Sequence, residues 1–164
     1  MGGAAHLTAE FFLQMAGIKM LHIPYKGSPE AIRDAAAGRV AFYMAPINTA
    51  IGLIKDGKIA ALGVSSSQRA AVLPDVPTIA EEGVPGFSMT LWFGMWAPAG
   101  TPQGIVTKLN SEVARVMKLP ELREQYATLG VDPVSMSPEE FAKFVRDDIA
   151  TNQRIVKQGN IPQQ

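Results

Sequence analysis

The chain has 164 residues, 47% apolar and 18% charged, a balance that places it among globular proteins and excludes a disordered one. Fifteen basic residues offset fifteen acidic ones, so no excess charge draws it to nucleic acid or to an acidic membrane surface. The absence of cysteine removes disulfides, thiolate metal sites and cysteine catalysis together, and fits the periplasm without requiring it.

The length suits one domain or slightly more. No apolar run approaches the roughly 18 residues of a membrane span. Met1-Gly2-Gly3 lacks the basic start and apolar stretch of a signal peptide. Residues 4–16 (AAHLTAEFFLQMA) are expected to form a helix with Leu7, Phe11 and Met15 on one stripe, ended by Gly17. A short strand is expected over 19–23, stopped by Pro24. Ser28 as N-cap, Pro29 in the first helical position and Glu30 in the first turn then predict a second helix, closed by Gly38. A strand over 40–44, a third helix over 46–55 and an apolar strand over 59–65 complete this part. Strands alternating with helices of about ten residues imply a mostly parallel sheet flanked by helices. The chain opens on a helix, whereas a right-handed strand–helix–strand wind would put a strand in front of it, so an N-terminal truncation is expected.

Residues 73–106 form a stiff segment holding five of the twelve prolines and both tryptophans. Within it, 87–96 is the most aromatic run and reads as a strand with Gly94 in its middle. The segment is either a crossing between two lobes or a long surface loop within one. Beyond it, Thr101-Pro102 predicts a helix to about Lys118, Pro120 another to near Gly130, and 131–134 a short strand. Ser137 and Glu140 form a capping box opening a helix to about Gln158. The apolar faces of these last helices (Leu109, Val113, Val116; Phe141, Phe144, Val145, Ile149) need a surface to cover, so this stretch resembles half of a lobe.

Catalytic signatures are lacking. His6 and His22 are the only histidines, and two of them on different elements make a poor metal signature. No nucleophile elbow, phosphate loop or dinucleotide fingerprint occurs. The acidic residues Glu30, Glu81, Glu82, Glu139 and Glu140 fit caps and exposed faces. What remains is anion binding. The helices after Gly2-Gly3 and after Lys26-Gly27 would present unsatisfied N–H groups and a partial positive charge, either as a carboxylate or phosphate seat or simply as capped starts. Asn48 and Thr49 follow a strand end, where ligands sit in open α/β sheets. Tyr25 either lines the same cleft or packs.

Several stretches together carry a resemblance: HIPYKGSPEAI, AAGRVAFYM, DGKIAALGVSSSQR, LPDVPTIAEEGVPGF, WFGMWAPAGTP and MSPEEFAKFV. They resemble the extracytoplasmic solute receptors of tripartite tricarboxylate transporters, the Bug family, over nearly the whole chain. The resemblance implies an α/β, type II periplasmic-binding-protein-like (venus flytrap) fragment with a helical C-terminal arm. Residues 1–89 would be the second lobe, and 90–164 the crossing strand and helices belonging to the first. It implies a periplasmic receptor, not an enzyme, with no cofactor, that captures a small mono- or dicarboxylate and delivers it to a membrane permease. Carried over by motif, the family's glycine-rich binding stretch would be Gly2 to His6, giving Gly3, Ala4, Ala5 and His6 as binding residues, to which Asn48 and Thr49 are added from their place after a strand end and Tyr25 if it lines the cleft. Family members commonly have Ser or Thr where Gly3 stands, and many have Asp where Ala45 stands. The loss of that carboxylate favours a plain carboxylate over an amino acid. A free half-lobe would also self-associate through its unpartnered C-terminal arm. The alternatives are the effector domain of a LysR-type regulator, which uses a related two-lobed fold, and a periplasmic enzyme on the same scaffold.

Overall fold

The computed structural model describes residues 3–159. Its helices are α1 (Ala4–Ala16), α2 (Ser28–Ala36), α3 (Ile47–Lys55), α4 (Gln103–Val116), α5 (Pro120–Thr128) and α6 (Pro138–Gln158). Each stands where apolar spacing and terminal residues put it, because a helix satisfies its own backbone and needs no distant partner. Gly17 ends α1 at φ 67, a left-handed conformation that glycine enters without a Cβ clash. Ser137 opens α6 with the expected reciprocal box. Its hydroxyl accepts from the Glu140 N–H at 3.2 Å, and its own N–H donates to Glu140 Oε2 at 2.8 Å.

Two other caps differ from expectation. The N-cap of α2 is Gly27, and the Ser28 hydroxyl accepts a hydrogen bond from Tyr43 Oη at 2.8 Å instead. The N-cap of α4 is Pro102, while the Thr101 hydroxyl donates to the Pro98 carbonyl at 2.8 Å. In both places a better-placed partner outside the helix competes for the hydroxyl.

The expected sheet is reduced to one contact. Among the described residues, 19–23, 40–44, 87–96 and 131–134 form no strand ladder, and from 59–65 only Val64 forms a bridge, parallel, with Thr78. Val64 donates to the Pro77 carbonyl at 2.9 Å and accepts from Ile79 at 3.0 Å, and the Met89 N–H donates to the Ser65 carbonyl at 2.8 Å. A strand exists only where a neighbour offers N–H and C=O groups in register, so strand propensity alone leaves these segments unpaired.

The core lies on that bridge. Ile79, Val84 and Phe87 are buried together, with Phe11, Phe12, Ala16, Met44 and Met89 packed around them. The Phe87 ring stacks on Phe11 at 5.2 Å and meets Phe12 edge-on at 6.2 Å. The stripe of α1 therefore runs through Phe11, Phe12 and Ala16, while Met15 of the expected stripe is exposed.

The C-terminal arm lies on its own chain. Ile155 of α6 is buried, its carbonyl accepts from Gln14 Nε2 of α1 at 3.2 Å, and α4 also packs against α6. The first turns of α6 receive the tryptophans of 92–96 through Phe141 and Phe144.

The PTIAEE stretch is structural. The Thr78 N–H donates to Glu81 Oε2 at 2.6 Å, and the Glu81 N–H donates back to Thr78 Oγ1 at 3.1 Å. Arg69 Nε adds two bonds to the same carboxylate. The Thr78 N–H first, and Arg69 second, hold the Glu81 carboxyl below its ordinary range. This closes one turn under the core.

Candidate ligand-binding edge

No side chain caps the first turns of α1, α2 and α3, a condition they share with α4 and α5. Gly3, Gly27 and Pro46 occupy their N-cap positions, and none has a side chain able to accept from the free N–H groups. In α3 the Thr49 N–H donates to the Pro46 carbonyl at 3.0 Å; the other first-turn donors have no side-chain cap, and each start carries the positive end of its helix dipole.

Two side-chain contacts link the segments around these starts. His6 in the first turn of α1 stacks on His22, just ahead of Pro24, with ring centroids 3.9 Å apart and planes 10° from parallel. Tyr43, just ahead of α3, donates to Ser28 in the first turn of α2. Thus α1 is tied to the segment that enters α2, and α2 to the segment that enters α3.

His6 is also 3.5 Å from Glu10 Oε1, one turn along α1. Burial first, then the neighbouring His22, pull the His6 pKa below its ordinary value, and Glu10 partly opposes them. With the folded pKa depressed, the neutral His6 contributes stability above the ordinary imidazole value of about 6.5, and that contribution is lost as pH falls through the lower folded value. Proton-detected titration of the His6 imidazole is expected to show a midpoint below that of a free histidine, and His22→Gln should move it upward. An unshifted midpoint insensitive to His22→Gln would contradict the stacking.

Other expected residues are engaged differently. The Tyr25 hydroxyl donates to Asp34 Oδ2 at 2.9 Å, and Asp34 Oδ1 pairs with Arg39 at 2.7 Å. The Arg39 hydrogen bond, followed by that of Tyr25, lowers the Asp34 pKa, while the bond to Asp34 raises that of Tyr25. Tyr25 thus anchors α2 and its hydroxyl proton is committed. Asn48 is exposed in the first turn of α3. Thr49 Oγ1 donates to the Pro46 carbonyl at 2.8 Å, which leaves its lone pairs and not its proton for a ligand. Gly3 and Ala4 are exposed, and Ala5 is half-buried. His22, Ser28 and Tyr43 belong to this edge but were not singled out as binding residues. No spacing rule finds them, since each contact joins segments from different parts of the chain. No group of three or more potential metal ligands occurs among the described residues, and no helix among them is long and apolar enough to cross a membrane.

Solved structures place this arrangement in a class. The Rhodopseudomonas palustris protein Rpa4515 with adipate superposes with a TM-score of 0.88 at 35% identity, over 96% of this chain and 53% of that one. The periplasmic binding protein BugD gives 0.82 at 30% identity, over 99% and 55%. MatC of Rhodopseudomonas palustris with bound malate gives 0.79 at 29%, over 94% and 53%. The fold is therefore that of the periplasmic binding proteins.

The tripartite tricarboxylate transporter receptor family matches residues 1–161, and the chain belongs to that family. BugT of Bordetella pertussis (strain Tohama I) is 34% identical over 158 residues, 96% of this chain and 48% of BugT. The chain thus spans about half the length of BugT and of each of these structures.

Proposed function

We propose that the chain forms part of a periplasmic solute receptor of a tripartite tricarboxylate transporter, binding a small mono- or dicarboxylate for delivery to the membrane permease. The observation that carries this reading is the set of three uncapped helix starts tied together through His6–His22 and Ser28–Tyr43. Adipate and malate in the two related structures support the ligand class.

In this reading the N–H groups of the first turn of α1, at Ala4, Ala5 and His6 beside Gly3, receive the carboxylate. Asn48 and the Thr49 hydroxyl oxygen supply further polar contacts, and Tyr25 positions α2. Residues 1–89 form one lobe, and 90–164 belong to the other. Ala45 provides no negative charge for a ligand amine, which favours plain carboxylates. Binding requires no chemical step.

Part of a cleft lacks the contacts and closure that the facing lobe supplies, so affinity for this chain should be weak. Amide NMR titration with malate and adipate is expected to move the signals of residues 3–6, 27–30 and 47–49 in the millimolar range. Succinamide, which lacks the charge, should leave them in place. Equal shifts with succinamide, or preference for an amino acid, would overturn the reading.

A further inference from the structure

Seven glycines among the described residues have positive φ, and at six of them a Cβ would meet no neighbouring atom within 4 Å. Backbone conformation alone accounts for those six. Gly130 is the exception. At φ 65 it closes α5, its N–H donating to the Ala127 carbonyl at 3.1 Å and the Val131 N–H donating to the Tyr126 carbonyl at 2.9 Å. A Cβ there would also stand 2.8 Å from Ile47 Cγ2 and 2.9 Å from Val72 Cγ1. The first requirement belongs to the end of a helix. The second is a requirement for space, set by residues far earlier in the chain.

Ile47 is the first residue of α3. A β-branched side chain in a helix keeps essentially one χ1 rotamer, so its Cγ2 stays where the helix puts it. A side chain at 130 therefore has to displace the backbone that carries Ile47. The first turn of α3 moves as a unit, because the Pro46 carbonyl accepts from the Thr49 N–H at 3.0 Å and from Thr49 Oγ1 at 2.8 Å. Asn48 and Thr49 ride on that turn. Val72, β-branched as well, closes the other side of the notch.

We propose that Gly130 is a positioning residue for the carboxylate site. Its missing side chain lets the segment after α5 seat against Ile47 and Val72, and that contact sets where Asn48 and Thr49 stand. Gly130 touches no ligand and acts through α3. The proposal rests on the carboxylate reading above, in which these two residues meet the part of the ligand beyond the carboxylate held at α1. Gly130 then governs the preference for malate, which carries further polar groups, over acetate, which has none.

Amide NMR titration of the Gly130→Ala chain is expected to show the ratio of malate to acetate affinity lowered about fivefold. Without ligand, the signals of residues 47–49 should move and those of 3–6 stay in place. Gly57→Ala is the control. Gly57 follows the other end of α3 at φ 67 with open space around it, so its substitution carries the same backbone strain and should change neither readout. Val72→Ala tests the contact without straining residue 130: loss of Cγ1 loosens the notch, and the 47–49 signals should move again. Signals at 47–49 that stay in place in both variants, an unchanged affinity ratio in Gly130→Ala, or an equal effect of Gly57→Ala overturns the proposal while the parent chain still binds malate. A parent chain that shows no response to malate overturns the carboxylate reading, and this proposal falls with it.

Discussion

Phe87→Ala is expected to lower the unfolding free energy by about 4 kcal/mol, within the range for truncating a fully buried aromatic ring. Phe87 is 1% exposed and packs with Ile79 and Val84, stacking on Phe11 and meeting Phe12 edge-on. Its removal leaves a void between α1 and the Val64–Thr78 bridge. Few other fully buried side chains share the load, since Phe87 and Ile155 are the large ones among the described residues. Phe11 and Phe12 are anchored on a helix and collapse poorly into the space, which keeps the cost towards the upper part of the range. Urea unfolding followed by far-ultraviolet dichroism, at one fixed protein concentration, measures it. A loss below about 1 kcal/mol would mean that this cluster is not the centre of the fold. Phe87→Leu, which keeps most of the volume, should cost about half as much.

Gly94→Val should cost about 3 kcal/mol for a different reason, overpacking. A Cβ at position 94 would meet the Phe141 ring, with Cε1 and Cε2 both 3.2 Å away and Cζ closer still. That ring is held between Trp92, Trp96 and Phe144, so it cannot withdraw without opening the contact between 91–96 and α6. Tryptophan fluorescence reads this contact directly, and a shift to longer wavelength should accompany the loss of stability. The cause is checked by a double-mutant cycle: with Phe141→Ala in place, Gly94→Val should become nearly neutral. If the two losses simply add, the clash with Phe141 is not the source.

Both predictions concern segments whose role the sequence conveyed incompletely. The aromatic run was legible and read as a strand over 87–96 with Gly94 in its middle, whereas no strand ladder forms there. That its even-numbered residues Trp92, Gly94 and Trp96 meet α6 depended on Phe141 and Phe144, nearly fifty residues later, and no local signal encodes this. Phe87 read as the first residue of a strand, whereas it is the buried centre of a turn-rich segment. Burial of this kind is settled by what the fold brings to the residue.

The binding edge divides in the same way. The sequence left the starts after Gly2-Gly3 and Lys26-Gly27 open between an anion seat and capped ends and gave Ser28 as the cap of the second; the structure leaves both without a side-chain cap, with Ser28 engaged by Tyr43 instead. Tyr25 offered the same aromatic and hydroxyl whether it lined a cleft or packed, and only the placement of Asp34 beside it decided between these uses. His6 and His22 looked like isolated residues until the fold stacked them.

By itself the sequence determined the six helices among the described residues, the Ser137 box, the Gly17 stop and the family. These follow from backbone self-sufficiency and from motifs read in order along the chain. Tertiary structure alone decided which extended segments find partners, which faces of α1 and α6 are covered, and which hydroxyls are free. A strand, a buried face and a side-chain hydrogen bond each need a second group from elsewhere in the chain, and its arrival is fixed only when the chain packs.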